Sequence, residues 1–220
     1  MVPNVLDFEN PPPPAPDDSD FRKRIGVEPD DVLILQPTRV VPRKGIEHAI
    51  ALVAQLRNPK CKLIVSHESG DEGLEYHDAL VELAQQSGVE IKFVHGAVLP
   101  GESGAHGASV SSLAEAYVHA DLISYPSLYE GFGNALLEAV YFLRPLLVNR
   151  YEVYAADIAP LGFRFVEIDG RITSSTLAEV RRLLDDGEEW RNAAAHNYEL
   201  ARRHFSYEVL ARALERLLGD

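Results

Sequence analysis

The sequence predicts an α/β fold in which a parallel sheet is doubly wound and covered by helices on both faces. Short apolar runs recur along the chain and alternate with longer segments of helical periodicity. The apolar runs are nearly continuous, which is typical of strands buried on both faces. Some amphipathic segments end at a glycine, such as Gly26 or Gly88, where helices commonly stop. Strands that alternate with helices in this way form parallel sheets.

The first residues do not follow this alternation. Pro11–Pro14 and Pro16 precede three aspartates, Asp17, Asp18 and Asp20. This composition predicts an extended, acidic, polyproline-like connector without a core-forming pattern. We therefore interpret residues 1–20 as a linker.

The elements follow in order from residue 20. The predicted strands are Val32–Gln36, Lys62–Ser66, Ile91–Val94, Leu122–Tyr125, Leu146–Asn149 and Arg164–Ile168. The predicted helices are Asp20–Ile25, Gly45–Leu56, Asp71–Gln86, a short helix from Ser111 or Ser112 to His119, a helix after Gly133, Val153–Ala159, Ser174–Asp186, Glu188–Arg203 and Tyr207–Leu218. This order assigns residues 21–186 to the sheet domain and residues 187–220 to C-terminal helices. Ligands of such sheets bind beyond the carboxyl ends of the strands.

Composition excludes several classes of function. A hydrophobic content of 46% is sufficient for a large core, and a net charge of −13 argues against a nucleic-acid partner. Cys61 is the single cysteine, which rules out an internal disulfide framework and fits a reducing compartment. No apolar run reaches membrane-spanning length, and no signal region follows Met1. We expect a cytoplasmic protein.

The most informative stretch is a glycine-rich corner that follows the predicted strand Leu122–Tyr125. Gly131 and Gly133 lead into an apolar helix, and the free N–H groups at a helix N-terminus attract anions, most often phosphate. Two carboxylates, Glu130 and Glu138, flank the corner. Either they contact a ligand, or Glu130 is a loop charge and Glu138 lies on a narrow solvated face of the helix.

A basic loop follows the first predicted strand. Arg39 and Lys44 lie at the sheet edge where a phosphate would bind, since arginine can fork two phosphate oxygens and lysine supplies a point charge. The alternative is that Arg39, Arg43 and Lys44 are solvated cations or pair with acidic residues. The recurrence of phosphate-suited residues on one sheet edge favours the ligand interpretation.

Other chemistries have little support. The histidines lack a tight metal-ligand spacing, so we expect no metal site. No Gly-x-Ser-x-Gly elbow of a serine hydrolase is present, and the glycines at 101, 104 and 107 do not form a nicotinamide-binding turn.

Three ordered motifs carry a family resemblance. Glu130 and Glu138 match an E-x7-E pattern within P-S-x-x-E-G-F-G-N, Arg39 and Lys44 match an R-x-x-x-x-K-G segment, and Val2–Phe8 looks like an interdomain segment. Together they resemble the C-terminal, donor-binding half of a retaining GT-B glycosyltransferase of family 4, which has a Rossmann-like fold. The resemblance covers nearly the whole chain.

The resemblance implies a role for each matching residue. Arg39 and Lys44 would bind the donor diphosphate and stabilise the departing nucleoside diphosphate, an electrostatic role. Glu130 would bind hydroxyls of the donor sugar without acting as a nucleophile, and Glu138 would accept hydrogen bonds from the ribose. The amides around Gly131, Phe132, Gly133 and Asn134 would meet sugar and phosphate oxygens. The loop from His95 to about Leu99 would lie near the base. The donor would be a UDP-, GDP- or ADP-sugar, and no metal would be needed.

The resemblance also implies a missing N-terminal domain that would supply the acceptor site, so this chain alone should transfer little or nothing. Two alternatives stay open: a non-catalytic nucleotide-sugar-binding module that acts with a partner chain, and a GT-B-like epimerase or phosphorylase. In the resembled fold the last helix crosses to the missing domain. We therefore expect an exposed apolar face at Leu210, Leu214, Leu217 and Leu218, and self-association through it.

Two departures from the family pattern leave local questions. The segment Gln36–Thr38 occupies positions where small residues are common in the family, and Pro37 removes a backbone N–H donor. The sequence therefore does not fix how Arg39 approaches a bound phosphate. The segment Arg144–Tyr151 could shape the sugar pocket or serve packing.

Overall fold

The computed structural model describes residues 4–12, 20–66, 74–94 and 108–219, and of residues 20, 74 and 108–112 it describes the backbone alone. Within these ranges, six strands form one parallel sheet in the order β3-β2-β1-β4-β5-β6. The strands are Val32–Gln36 (β1), Cys61–Val65 (β2), Ile91–Phe93 (β3), Leu122–Tyr125 (β4), Leu146–Asn149 (β5) and Val166–Ile168 (β6). The predicted doubly wound, Rossmann-like sheet is confirmed.

Eight α-helices accompany the sheet in the described part of the chain. They are Asp20–Arg24 (α1), Ile46–Leu56 (α2), Leu74–Gln86 (α3), Ala108–His119 (α4), Asn134–Tyr141 (α5), Ser174–Asp185 (α6), Gly187–Phe205 (α7) and Tyr207–Leu218 (α8). The predicted start of α4 at Ser111 or Ser112 is wrong, because the helix already includes Ala108. The start of the third helix at Asp71 lies outside the described residues.

One predicted helix has a different form. The sequence predicts a short helix at Val153–Ala159, and the structure has a π-helical turn, Tyr154–Ile158, followed by a 3-10 turn, Ala159–Leu161. Pro160 lies within the second turn and has no N–H to continue an α-helical hydrogen-bond ladder. Pro160 therefore accounts for the loss of α-helical hydrogen bonding in the second turn.

The sheet separates two apolar cores, as expected for strands covered on both faces. Leu33 and Leu35 of β1 pack with residues of α4, α5 and α7 on one face. Ile34 of the same strand packs with residues of α2, α3 and α6 on the other. The two faces thus alternate residue by residue along a strand that is apolar up to Gln36 at its end.

The strand order places a switch point between β1 and β4. The chain winds outward from β1 toward β3 on one side and from β4 toward β6 on the other, and ligands of such sheets bind in the crevice at this reversal. The loop after β1 and the corner after β4 leave the sheet side by side there, since β1 pairs directly with β4.

The N-terminal segment is packed on the domain. Phe8 is buried, with edge-to-face contacts to Tyr141 and Tyr198. The amide of Leu6 donates to the carbonyl of Phe205 at 3.0 Å, and Leu6 forms a bridge with Ser206 at the junction of α7 and α8. Residues 1–20 were predicted to lack a core-forming pattern, yet Phe8, a single aromatic outside any periodic pattern, belongs to the core.

The last helix packs only loosely. No residue of α8 is buried, and the side chains of Leu214, Leu217 and Leu218 are exposed by 42%, 70% and 81%. Leu210 is half-buried. The structure thus has the exposed apolar face that the sequence predicts, while self-association through it stays a prediction.

Candidate functional site

A cavity of about 460 Å³ opens at the switch point between β1 and β4. It is lined by Asn4, Pro37, Thr38, Arg39, Arg43, Lys44, Leu113, Tyr125, Glu130, Gly131, Phe132, Gly133, Asn134, Ala135 and Glu138. Every site residue that the sequence predicts therefore lines one cavity. The loop from His95 to about Leu99, predicted to lie near the base, is outside the described residues.

The basic loop is shaped by Gln36 at the end of β1. Gln36 is buried, and its Nε2 donates to the Lys44 carbonyl at 3.0 Å and to Thr38 Oγ1 at 3.2 Å. These bonds fold the loop back so that Pro42–Lys44 forms a 3-10 turn, with Pro42 at a position that needs no backbone donor. The large residue that departs from the family pattern thus supports the loop that carries Arg39 and Lys44.

The basic loop and the glycine corner touch through their backbones. Gly45 has a φ of 62°, and a Cβ at this position would lie 2.4 Å from the carbonyl oxygen of Pro126. The amide of Leu128 also donates to the Arg43 carbonyl at 2.8 Å. Only glycine at residue 45 allows this approach, which fixes the distance between the cations and the corner.

Glu130 binds two cations of the basic loop. Its Oε2 accepts from Arg43 Nη1 at 3.0 Å, and its Oε1 accepts from Lys44 Nζ. The Lys44 ammonium also lies over the ring of Tyr125, 5.6 Å from its centroid. The side chains of Lys44 and Glu130 are only 11% and 10% exposed, so this pair is much less screened than a surface salt bridge.

Burial and charge compete at this cluster. Burial raises the pKa of Glu130, but the hydrogen bonds and charges of Lys44, with contributions from Ser127 and Arg43, outweigh burial and lower it. Burial lowers the pKa of Lys44, and the charges of Arg43 and Arg39 add to this effect against the opposing pair with Glu130. The carboxylate is therefore held ionised, whereas the ammonium lies in a site that is already rich in positive charge.

The remaining features suit an anion. Arg39 is exposed, and its guanidinium has no ion pair or hydrogen bond with any residue that the structure describes. Helix α5 begins at Asn134 without a side-chain cap, and the amides of residues 131–135 donate to no described residue. A free guanidinium beside a free helix N-terminus is an arrangement that binds phosphate groups.

The two glycines of the corner differ. Gly133 has a φ of 106°, and a Cβ there would lie 2.6 Å from Tyr151 Oη and 3.1 Å from Tyr125. Gly131 has no left-handed φ, and a Cβ would meet no atom within 4 Å. Gly133 is thus required by its backbone angle and close contacts, whereas neither applies to Gly131, which leaves open space in the cavity wall.

Glu138 is oriented by a buried tyrosine. Its Oε2 accepts from Tyr117 Oη at 2.7 Å, and its Oε1 has no hydrogen bond with a residue in the described ranges. Burial raises the pKa of Glu138, an effect that the hydrogen bond from Tyr117 opposes. Glu138 is therefore not a solvated surface charge, because it lines the cavity with one oxygen committed to Tyr117 and the other free.

Further contacts hold the corner from two sides. Asn4 Nδ2 donates to Asn134 Oδ1 at 2.6 Å, which brings the N-terminal segment to the start of α5. On the β5 side, Tyr151 Oη donates to the Phe132 carbonyl at 2.6 Å, and Asn149 Nδ2 donates to the Ser127 carbonyl at 3.0 Å. Since Asn149 and Tyr151 support the corner and do not line the cavity, the structure favours packing as the role of the segment Arg144–Tyr151.

Sequence reasoning missed several residues that shape this site, among them Arg43, Gln36, Tyr117 and Asn4. From the sequence, Arg43 is one of several loop cations and Gln36 is a departure from the family pattern, and neither Tyr117 nor Asn4 has a feature that assigns it to the site. The contacts of Arg43, Tyr117 and Asn4 each join segments far apart in the chain, which local spacing does not reveal. The buried amide in an otherwise apolar strand was the one local signal, at Gln36.

Two further properties bear on the sequence expectations. No group of three or more histidine, cysteine, aspartate or glutamate side chains that could hold a metal ion is found among the described residues. Of the helices in the described ranges, none has the combination of length and apolar character required to cross a bilayer.

Comparisons with known proteins agree with this architecture. The family described as Glycosyl transferases group 1 matches residues 17–199. The mannosylglucosylglycerate synthase of Thermotoga maritima is 30% identical over 98% of this chain and 55% of its own length. That of Petrotoga mobilis is 33% identical over 78% of this chain and 44% of its own length. The chain thus spans about half the length of these curated relatives.

Solved structures share the fold. The Anabaena protein Alr3699/HepE in complex with UDP and glucose superposes with a TM-score of 0.77 at 20% identity, over 99% of this chain and 56% of that one. The C-terminal domain of the group 1 family protein LpcC from Francisella tularensis superposes with a TM-score of 0.66 at 17% identity, over 91% of this chain and 98% of that one. The second match shows a domain of similar extent to this chain.

Proposed function

The chain belongs to the Glycosyl transferases group 1 family, and from this membership we propose that it is the donor-binding half of a retaining glycosyltransferase of family 4 that uses a nucleoside diphosphate sugar. The observation that carries the proposal is the meeting of three cations, an uncapped helix N-terminus and two carboxylates in one cavity at the sheet's switch point. Each group has a counterpart in such a donor: a diphosphate, a ribose and a sugar with several hydroxyls.

The diphosphate is assigned to the cationic side of the cavity. Arg39 and Lys44 bind its oxygens together with the free amides at the start of α5. As the glycosidic bond to the phosphate breaks, negative charge accumulates on the departing nucleoside diphosphate, and these groups stabilise it. We propose that no metal ion is required, because protein cations supply the positive charge that a divalent ion would otherwise provide.

The two carboxylates are assigned to hydroxyl groups. Glu138 accepts hydrogen bonds from the ribose through the oxygen that Tyr117 leaves free. Glu130 accepts from hydroxyls of the donor sugar, held in place by its contacts with the basic loop. The charged hydrogen bond from Arg43 to Glu130 makes this carboxylate a poorer nucleophile, which supports a binding role and same-face attack by the acceptor through a short-lived ion pair.

The acceptor is assigned to a second domain. Because the chain spans about half the length of its relatives, we propose that the complete enzyme binds its acceptor with a further domain, opposite the cavity described above. Isolated, the present chain should bind the donor and transfer little or none of its sugar. A cytoplasmic location, which the composition favours, stays a prediction.

Calorimetry on this chain tests the proposal directly. We expect binding of one or more of UDP, GDP and ADP and of the corresponding sugars, with nucleosides bound more weakly than nucleoside diphosphates. GDP-mannose belongs in the panel because the relatives are named for a mannosyl product, and UDP-glucose because Anabaena Alr3699/HepE was crystallised with it. If the folded chain binds none of these at millimolar concentration, the donor-site assignment is wrong.

A further inference from the structure

We propose that Arg43 is a positioning residue that holds Glu130 in place so that Lys44 can leave Glu130 and bind the donor diphosphate. This inference rests on the proposed function, since it requires a diphosphate to reach Lys44. It concerns a residue outside the family motif: Arg43 stands immediately before the motif lysine and was not among the predicted site residues.

The geometry presents Lys44 with two competing partners. In the structure its ammonium binds Glu130 Oε1, whereas the proposed function needs it on the diphosphate. Glu130 is only 10% exposed, so losing its sole cationic partner would leave a nearly buried carboxylate without a compensating positive charge, at a large energetic cost. If Lys44 were that sole partner, Glu130 would retain it and oppose diphosphate binding.

Arg43 provides the second partner that removes this conflict. Its Nη1 binds Glu130 Oε2 at 3.0 Å, the oxygen that Lys44 does not use. A planar guanidinium forms a more directional bond to a carboxylate than a mobile ammonium does. Glu130 therefore keeps a charged hydrogen bond when Lys44 changes partner.

Arg43 is itself held in position by the turn that carries Glu130. Its carbonyl accepts from the Leu128 amide at 2.8 Å, and its guanidinium lies over the ring of Tyr129, 5.7 Å from the centroid. Backbone and side chain thus contact the same short segment. Among the described residues, Lys44 has no comparable anchor at its ammonium, which besides Glu130 lies over the face of the Tyr125 ring. Of the two cations, Lys44 is the one that can move.

A double-mutant cycle on this chain tests the inference, with binding of UDP and GDP measured by calorimetry. Arg43→Ala should weaken binding of the nucleoside diphosphate at least about tenfold, because Glu130 then retains Lys44. In a Glu130→Gln background the neutral amide no longer requires a cation. There the same substitution should weaken binding by about threefold or less. Arg43→Lys, which keeps a charge beside Glu130, should restore part of the loss.

Arg39→Ala is the matched control, because it removes a cavity cation that does not contact Glu130. It should weaken binding by the same factor in both backgrounds. Arg24→Ala breaks another arginine–glutamate pair, with Glu115 on α4, in which the arginine is similarly exposed, and it should leave binding unchanged. If Arg43→Ala fails to fold, Arg43→Gln and Arg43→Lys complete the cycle.

The possible outcomes are distinct. Equal losses for Arg43→Ala in both backgrounds, or no loss in either, would overturn the positioning role while leaving the proposed function intact. Failure of the parent chain to bind any nucleotide would overturn the proposed function, and the inference with it. A loss confined to the background with native Glu130 supports the partner exchange.

Discussion

Lys44→Ala separates binding of the diphosphate from binding of the nucleoside. A hydrogen bond to a charged group contributes about 1.5–3 kcal/mol, so loss of the ammonium should weaken nucleoside diphosphate binding roughly 10- to 150-fold. The upper part of this range is expected, because the substitution leaves Glu130 with one fewer cation and increases negative charge where the diphosphate binds. Binding of the bare nucleoside should change less than about threefold, since it presents no phosphate to this side of the cavity.

The assay is calorimetry of the parent chain and the variant with UDP, uridine, GDP and guanosine. Lys60→Ala is a suitable control, because it removes an exposed lysine paired with Asp30 and should affect neither ligand class. Loss of a partner for the nearly buried Glu130 should also reduce the free energy of unfolding by about 1–3 kcal/mol, so denaturant titration is needed to confirm a folded variant. Equal losses for nucleoside and diphosphate would refute the role assigned to Lys44.

Three further predictions concern other parts of the molecule. Because burial raises the pKa of Glu138, the carboxyl group destabilises the fold once it ionises. Glu138→Gln should therefore increase the free energy of unfolding near pH 7 and have little effect near pH 4. Gly133→Ala should cost about 1–3 kcal/mol of stability, because φ is 106° and the methyl group would overlap a tyrosine hydroxyl. Gly131→Ala should change stability by less than about 0.5 kcal/mol and still weaken donor binding. The exposed face of α8 should cause concentration-dependent association in sedimentation, which Leu217→Glu with Leu218→Glu should abolish.

Each of these has a clear opposing result. The sign for Glu138 follows from linkage. A carboxyl group whose pKa is raised in the folded state stabilises the fold when the pH is below the ordinary pKa of 4.5. This contribution is lost as the pH rises through the raised pKa. An advantage of the Gln variant at low pH alone would contradict the burial argument. Similar stability losses for Gly131 and Gly133 would contradict the distinction drawn from their surroundings. A monomeric profile at high concentration would rule out association through α8.

Much of the fold could be predicted from local sequence because the strands are apolar and well separated. The bounds of β1, β4, β5 and α8 agree with the predicted ones to the residue. Periodicity did not distinguish an α-helix from the π-helical and 3-10 turns at residues 154–161, and it did not identify Phe8 as a core residue. These two features depend on tertiary packing or on a single residue. A periodicity pattern that is averaged over a window of residues does not detect them.

For the site, residue type and position on the sheet edge were sufficient to bring the predicted residues to one cavity. They were insufficient to show pairing. That Glu130 contacts Arg43 as well as Lys44, and that Tyr117 orients Glu138, depends on how loops and helices from different parts of the chain meet. Spacing predicted which groups share the cavity. Only the structure shows which carboxylate oxygens bond to protein groups and which are left for a ligand.

The close approach of Gly45 to Pro126 also has a consequence for redesign. The basic loop and the glycine corner share a backbone contact with no room for a methyl group, so neither can be exchanged for a homologous segment of different shape without displacing the other. A variant designed to change the preference of the proposed donor site should therefore replace residues 37–45 and 126–134 together, with both segments taken from the same homologue. Alternatively, such a variant should leave both segments intact and vary the cavity wall near Leu113, which lies outside this shared contact.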